Sequence, residues 1–273
     1  MRLSGATAVA GIIGWPVSQS LSPAIHNAAF DAAGLDWAYV AFPVRPGEAA
    51  RSIEAMRTLG IRGLNVTMPH KQDVVAALDR LSPDAERAGA VNTVVRDGGD
   101  LVGENTDGAG FCRFLERDAG IAPAGRRALV LGAGGAARAV ALALADAGAE
   151  VAVAGRRLDR AEAVASLGPR VRAVVLEPAT LKGEVEAASL IVNATPVGTD
   201  GETTPLGPAA LRAGHIVVDL IYHPETTPLV RIARERGAVA FNGLGMLLHQ
   251  AALSFEAWTG LAAPLDAMRA SVT

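Results

Sequence analysis

Leu129-Val130-Leu131-Gly132-Ala133-Gly134-Gly135-Ala136-Ala137-Arg138-Ala139 decides how this 273-residue chain is read. A short apolar run meets a cluster of glycines, and an alanine-rich, helix-forming stretch follows at once. Strand, glycine turn and helix in that order bring backbone N–H groups up to a pyrophosphate at a helix N-terminus. Gly132, Ala133, Gly134, Gly135 and Ala136 are therefore expected to hold a dinucleotide. Glycine clusters also occur for packing reasons alone, and it is the flanking strand and helix that favour the ligand. The next strand-like run selects the cofactor. An NAD site usually carries an acid about 20 residues on, to accept from the ribose 2′-hydroxyl. Here that turn reads Gly155-Arg156-Arg157-Leu158-Asp159-Arg160. Arg156, Arg157 and Arg160 offer guanidinium groups to a 2′-phosphate, so NADP is expected. The bland alternative is a solvated arginine run opening a helix, and Asp159 keeps NAD open.

Outward from this turn the chain alternates strand-like and helix-like segments. Downstream strands are expected at Ala128–Leu131, Val151–Ala154, Val171–Leu176, Leu190–Asn193, Ile216–Asp219 and Ala238–Phe241. Upstream ones are expected at Ala8–Ile13, Trp37–Phe42 and Gly63–Val66, with amphipathic helices at Pro23–Ala33 and Glu48–Leu59. Ser22 before Pro23 reads as a helix cap followed by proline at the first helical position. Asp97-Gly98-Gly99-Asp100, between Val91–Arg96 and Leu101–Gly103, reads as a hairpin turn. Such alternation predicts an α/β protein with mostly parallel sheets. Two domains are expected, 1–106 with 244–273 and 107–243, the second of the dinucleotide-binding Rossmann type. The apolar helices Leu244–Trp258 and Ala263–Val272 are expected to return to the first domain.

Composition narrows the function classes. The net charge is −3, with 25 basic and 28 acidic residues, so no cationic surplus exists to neutralise nucleic-acid phosphates. Neither long uncharged stretch, Leu3–Phe30 or Gly237–Phe255, is an uninterrupted apolar span of membrane length. A faint secretion-like start at Arg2 is followed at once by polar loop residues and is rejected. A single cysteine, Cys112, suits a reducing compartment, and a cytoplasmic location is expected. The five histidines show no metal-ligand spacing, so no metal is expected. Of the 25 basic residues only Lys71 and Lys182 are lysine. Each lysine therefore invites the question of what arginine could not do there.

Three polar loops follow early strand ends, where a parallel sheet gathers its ligands. Gly14–Pro23 contains Ser20 and Ser22, hydroxyls suited to a carboxylate, although Ser22 by itself is as readily a helix cap. Asn65-Val66-Thr67-Met68-Pro69-His70-Lys71 contains a lysine able to pass a proton, as arginine is not; in isolation Lys71 also reads as a solvated helix-start residue. Gly103–Gly108 contains Asp107, a second acid–base group or an N-cap for Gly108–Arg117.

Taken in order, these segments resemble the shikimate dehydrogenase family. Ser20-Leu21-Ser22-Pro23-Ala24-Ile25-His26-Asn27, Asn65 to Lys71, Gly89 to Thr93 and Asn105 to Gly108 match its blocks. So do the glycine turn, Asn193-Ala194-Thr195-Pro196, Asp219–Tyr222 and Gly243 to Gln250. The resemblance spans essentially the whole chain. It implies reversible NADPH-dependent reduction of 3-dehydroshikimate to shikimate, a step towards chorismate and the aromatic amino acids, by a monomer or homodimer. Carried over residue by residue, Ser20 and Ser22 bind the substrate carboxylate. Thr67, Asn92, Tyr222 and Gln250 contact the ring or its hydroxyls, Lys71 and Asp107 form the catalytic pair, and Gly243 lies beside the nicotinamide. One departure stands out: the family's NADP turn reads Asn-Arg-Thr with a further arginine, so Arg156 and Arg160 match while Gly155 and Arg157 do not. The rivals are a quinate, quinate/shikimate or aminoshikimate dehydrogenase on the same fold, and a catalytically silent ligand-sensing paralogue.

Overall fold

A computed structural model describes residues 3–272. The chain divides into two compact units, Met1–Thr106 with Leu248–Thr273, and Asp107–Leu247. In the first, β1 (Ala8–Gly14), α1 (Ser22–Ala32), β2 (Trp37–Pro43), α2 (Ala49–Leu59) and β3 (Gly63–Val66) form two strand–helix–strand crossovers. β4 (Arg80–Leu81), α3 (Pro83–Ala88), β5 (Thr93–Asp97) and β6 (Asp100–Glu104) complete the unit up to Thr106. The sheet order is β2-β1-β3-β5-β6-β4. β1 runs parallel to both β2 and β3, while β5 is antiparallel to β3 and β6. The antiparallel half follows from the hairpin: Asp97 pairs with Asp100, and Gly98 takes the left-handed φ of 60° that the two-residue turn requires. Ile13, Ile53, Met56, Leu64, Val66 and Leu101 lie in one buried cluster beneath this sheet.

Two local expectations are corrected here. Ser22 does not cap α1. It is the first helical residue, and Leu21, already in the right-handed helical region, takes the cap position with no side-chain cap bond of its own. Asp107 likewise opens its helix from within rather than flanking it. The two-residue β4 and the six-residue α3 are too short to leave a periodic signal, although Ser82 caps α3 by accepting from the Ala85 N–H.

The second unit begins with α4 (Asp107–Arg117). β7 (Arg127–Leu131), α5 (Gly135–Asp146), β8 (Glu150–Gly155), α6 (Leu158–Ala165), β9 (Val171–Val175) and α7 (Pro178–Ala187) follow. β10 (Leu190–Asn193), β11 (Ile216–Asp219), α8 (Pro228–Glu235) and β12 (Val239–Phe241) complete its sheet. All its strand pairs are parallel, in the order β12-β11-β10-β7-β8-β9. Their near-continuous Val/Leu/Ile/Ala runs are what burial on both faces demands, and buried clusters lie on each side. Alanine and glycine let helices approach closely: a Cβ on Gly108 of α4 would stand 2.7 Å from the Ala139 carbonyl oxygen of α5.

The chain then enters α9 (Leu244–Thr259) and α10 (Leu265–Ala270). Division falls at Leu248, inside α9, rather than before Leu244. The first turn of α9 belongs with the second unit because Gly245 abuts the Phe114 ring and Met246 joins its buried cluster. No helix among the described residues is long and apolar enough to cross a membrane.

Candidate active site

In the first unit, β1 and β3 end side by side. The Thr67 N–H donates to the Ile13 carbonyl and the Trp15 N–H to that of Met68, each at 2.9 Å. The loop bearing Ser20 and Ser22 therefore shares a sheet rim with the loop bearing Thr67 and Lys71. Gly14 permits this closeness, since a Cβ there would stand 2.4 Å from the Thr67 methyl. Asn92 joins the same rim by accepting on its carbonyl from the Val66 N–H at 2.8 Å.

The Lys71 backbone is tied down from both sides. Its carbonyl accepts from the Val91 N–H at 2.7 Å, and the buried His70 ring next to it bonds through Nε2 to the Val44 carbonyl at 2.8 Å. The Lys71 side chain is half-buried. Ser20 Oγ accepts from the Ser22 N–H at 3.2 Å, which fixes the two serines relative to each other, and Ser22 is buried.

Behind this rim runs a buried polar network. Asn92 Nδ2 donates to Thr106 Oγ at 2.9 Å and to Gln250 Oε1 at 3.3 Å, while Asn92 Oδ1 accepts from the Thr106 N–H at 2.8 Å. Thr106 Oγ donates to the Gln250 carbonyl, which also accepts from Ser254 Oγ. Asn65 Nδ2 shares its two protons among the Asn92 carbonyl, Thr93 Oγ and Ser254 Oγ, which lie at 3.1, 3.2 and 3.0 Å. Its Oδ1 accepts from the Tyr39 hydroxyl at 2.7 Å. Buried amides with their donors and acceptors met are held in one orientation, and a disordered alternative would leave groups unpaired. Asn92 and Gln250 are thus presented by a network whose other members, Tyr39, Asn65, Thr93, Thr106 and Ser254, were not among the expected site residues. The available signals were a tyrosine in the apolar run of β2 and a serine four residues after Gln250 on an apolar helix.

In the second unit the strand order reverses between β7 and β10, the switch point where ligands of open α/β sheets bind. Gly132 ends β7 with φ 111°, and a Cβ there would stand 2.9 Å from the Ala194 carbonyl oxygen. Gly134 precedes α5 with open space where a Cβ would project, and no side chain caps the helix. Its first N–H groups, at Gly135 and Ala136 onward, are free of intrahelical partners, which is the arrangement an anion requires. At the end of β8, Gly155 is buried against Ala133 and Ala161. Arg156, Arg157 and Arg160 are exposed there, but Arg157 is engaged by Asp159, with Nη2 at 2.6 Å and Nε at 3.2 Å from the carboxylate. Arg156 and Arg160 remain for a phosphate. Glycine turn, uncapped helix and arginine-bearing second turn together fit a 2′-phosphorylated dinucleotide.

Also in this unit, Asp107 is buried at the start of α4. Tyr222 is half-buried, and burial pushes its hydroxyl above the usual phenol range, so it stays a protonated donor. Gly243 presses on the preceding loop so closely that a Cβ would stand 2.1 Å from the Leu220 carbonyl oxygen. Asp219 is fully buried between Asn193 Nδ2 at 2.9 Å and the Thr227 hydroxyl at 2.7 Å, and burial raises its carboxyl. It ties the ends of β10 and β11 to the cap of α8. Burial first, then Glu116 and Asp146, push the Cys112 thiol up to about 12, which leaves it protonated and inert. Among the described residues no group of three His, Cys, Asp or Glu side chains is arranged to hold a metal ion.

Comparison with known proteins bears on the whole chain. Family models match for the shikimate dehydrogenase substrate binding domain over residues 12–94, shikimate / quinate 5-dehydrogenase over 117–200, and the shikimate 5'-dehydrogenase C-terminal domain over 243–273. A shikimate dehydrogenase (NADP(+)) of Geobacter metallireducens is 46% identical over 100% of this chain and 98% of its own. The crystal structure of shikimate 5-dehydrogenase from Thermus thermophilus, in complex with NADP(H) and shikimate, superposes with a TM-score of 0.89 at 41% identity, covering 97% of this chain and 98% of that one. The enzyme from Listeria monocytogenes, in complex with shikimate and NAD, gives a TM-score of 0.91 at 37% identity over 100% of this chain and 99% of that one.

Proposed function

This chain belongs to the shikimate dehydrogenase family, and from that premise we propose that it catalyses the reversible NADPH-dependent reduction of 3-dehydroshikimate to shikimate, in aromatic amino-acid biosynthesis. The observation that carries the reading is the rim of the first unit. There two serines, a threonine, fixed amides and a single lysine stand on neighbouring segments, a set suited to one small, polyhydroxylated carboxylate.

Ser20 and Ser22 donate to the substrate carboxylate, and Thr67, Asn92, Tyr222 and Gln250 recognise the ring hydroxyls. Reduction of the ketone needs one proton delivered to oxygen as negative charge develops there. Lys71 supplies that proton from its ammonium, and Asp107 is its acid–base partner. In the reverse direction Lys71 takes the proton from the alcohol. The nicotinamide supplies the hydride when bound. Gly132 to Ala136 receive the pyrophosphate, Arg156 and Arg160 the 2′-phosphate, and Gly243 lies beside the nicotinamide.

The deciding experiment measures initial rates by nicotinamide absorbance, crossing shikimate and quinate with NADP and NAD. A large preference for shikimate with NADP is expected. Dominant activity with quinate or NAD would overturn the specificity while retaining the fold, and no turnover with any pair would leave a silent ligand-sensing paralogue. With the preferred pair, Lys71→Ala should lower kcat by about 10²- to 10⁴-fold with KM little changed. A variant with near-normal kcat would remove Lys71 from the mechanism.

A further inference from the structure

Residues 220–227, between β11 and α8, carry Tyr222 and contain no helix or strand. Such a connection is mobile unless its backbone groups are bonded. The Leu220 N–H extends the β10–β11 ladder by one residue, donating to the Asn193 carbonyl at 2.9 Å. There the ladder stops, and the Ile221 N–H turns instead to Asp219 Oδ1 at 3.2 Å. On its other side the Ile221 carbonyl accepts from the Gly243 N–H at 3.0 Å. Ile221 is thus held between Asp219 and Gly243, with Tyr222 next in the chain.

Proton counting orients the bonds around Asp219. Asn193, Asp219 and Thr227 are all fully buried. Asn193 Oδ1 accepts from the Thr195 N–H at 3.1 Å, so its Nδ2 is the atom turned towards Asp219. That amide uses both protons, on Asp219 Oδ1 at 2.9 Å and on the Val197 carbonyl at 3.1 Å. Thr227 Oγ accepts from the Val230 N–H at 3.2 Å and donates its own proton to Asp219 Oδ2 at 2.7 Å. The two carboxylate oxygens therefore have different tasks. Oδ1 gathers the Asn193 amide and the Ile221 N–H, while Oδ2 holds the cap of α8.

We propose that Asp219 is a positioning residue whose Oδ1, acting through Ile221, sets Tyr222 and Gly243 together from one buried point. The proposal rests on the reading of Tyr222 as a ring contact and of Gly243 as the neighbour of the nicotinamide. The Ile221 N–H fixes the chain just before Tyr222, and its carbonyl fixes Gly243 just before α9. Gly243 is also packed against the same segment, since a Cβ on it would stand 2.1 Å from the Leu220 carbonyl oxygen. Any shift of 220–221 is therefore felt at both residues.

The test compares Asp219→Ala, Asp219→Asn and Thr227→Val in the full chain, after the unmodified protein has been shown to turn over shikimate with NADP. If it does not, or if Tyr222→Phe leaves KM for shikimate unchanged, the reading beneath the inference fails and the inference falls with it. Asp219→Ala should raise KM for shikimate and KM for NADP about tenfold each, the worth of one buried hydrogen bond. Asp219→Asn keeps an oxygen for Asn193 and Ile221 and can donate to Thr227, so both KM values should stay within about twofold. Thr227→Val removes only the partner of Oδ2 and the cap of α8. It should lower the thermal midpoint while moving neither KM by more than about twofold. A merely structural carboxylate predicts instead that KM rises with every loss of stability. In a Tyr222→Phe background, Asp219→Ala should add less than about twofold to KM for shikimate and keep its full effect on KM for NADP. Unchanged KM values in Asp219→Ala, parallel rises in Thr227→Val, no rescue by Asn, or full additivity with Tyr222→Phe would each overturn the proposal. Should Asp219→Ala or Thr227→Val fail to fold, amide hydrogen exchange in the parent decides. The Ile221 N–H must exchange at least about tenfold more slowly than an unstructured amide, and exchange at the unstructured rate sinks the idea.

Discussion

Arg157 and Asp159 show how two neighbouring charges decide what a third can do. The turn after β8 carries Arg156, Arg157 and Arg160, yet one of them is spent on an internal ion pair with Asp159. Both partners of that pair are exposed, so water screens it and it adds little to stability. Its consequence lies in cofactor choice. Arg156→Ala should raise KM for NADPH about 10- to 100-fold, the range for one charge-assisted hydrogen bond, with KM for NADH little changed. Asp159→Ala should act in the opposite sense, freeing Arg157 and lowering KM for NADPH about two- to fivefold with no change in thermal midpoint. If Asp159→Ala weakens NADPH instead, the carboxylate is part of the cofactor site rather than a competitor for Arg157. The sequence offers the three arginines as candidate phosphate ligands. That one of them is engaged by Asp159 is not legible there, because Asp159 is equally an NAD-type acid until its partner is seen.

At the scale of elements, the two glycines around the start of α5 separate conformation from ligand approach. Gly132 takes φ 111° and has the Ala194 carbonyl oxygen 2.9 Å from where a Cβ would lie. Gly134 has an ordinary negative φ and open space in the same direction. Gly132→Ala should therefore lower folding stability by about 1–3 kcal/mol through backbone strain and contact, and weaken NADP binding as well. Gly134→Ala should leave stability within about 0.5 kcal/mol in thermal unfolding while still weakening NADP binding by fluorescence titration, because on the proposed cofactor placement its methyl would meet the pyrophosphate. Equal stability losses in both variants would contradict this division. The strand–turn–helix was legible because all its signals are local: a buried run, glycines, then alanine-rich helix. The same holds for the Asp97–Asp100 hairpin. Ser22 was misread for the converse reason. Ser-Pro is a common helix-start signature, and only the helical backbone of Leu21 and the burial of Ser22 show that the serine lies inside α1. Nor could any window of sequence join Asn65 to Ser254, 189 residues apart, although that bond helps to fix the amide orientations of the site.

For the molecule as a whole, the buried network and its aromatic surroundings set the response to acid. His26 sits wholly buried among Phe30, Tyr39 and Trp258, and neither ring nitrogen has a hydrogen-bond partner among the described residues. Burial lowers its pKa from 6.5 to about 3, with the nearby Asn65 side chain opposing it only in part. Between those values the unfolded chain takes up a proton that the folded chain refuses, so stability must fall as pH drops below the unfolded value, and the loss levels off only near the folded one. Near pH 5 this single residue costs about 2 kcal/mol relative to neutrality, a sizeable part of the marginal stability of a domain. His26→Leu keeps the apolar volume and abolishes the proton linkage. Urea unfolding of the two proteins near pH 7 and pH 5 should therefore show the variant losing about 2 kcal/mol less than the parent on acidification. Asp219 works in the other direction: its raised carboxyl holds a proton more tightly in the folded chain, so its contribution favours acid and cannot produce the parent's deficit. Parallel acid limbs in parent and variant would mean that His26 can be protonated inside the fold. The stack of His26 on Tyr39, whose hydroxyl bonds Asn65, would then have to open to admit the charge.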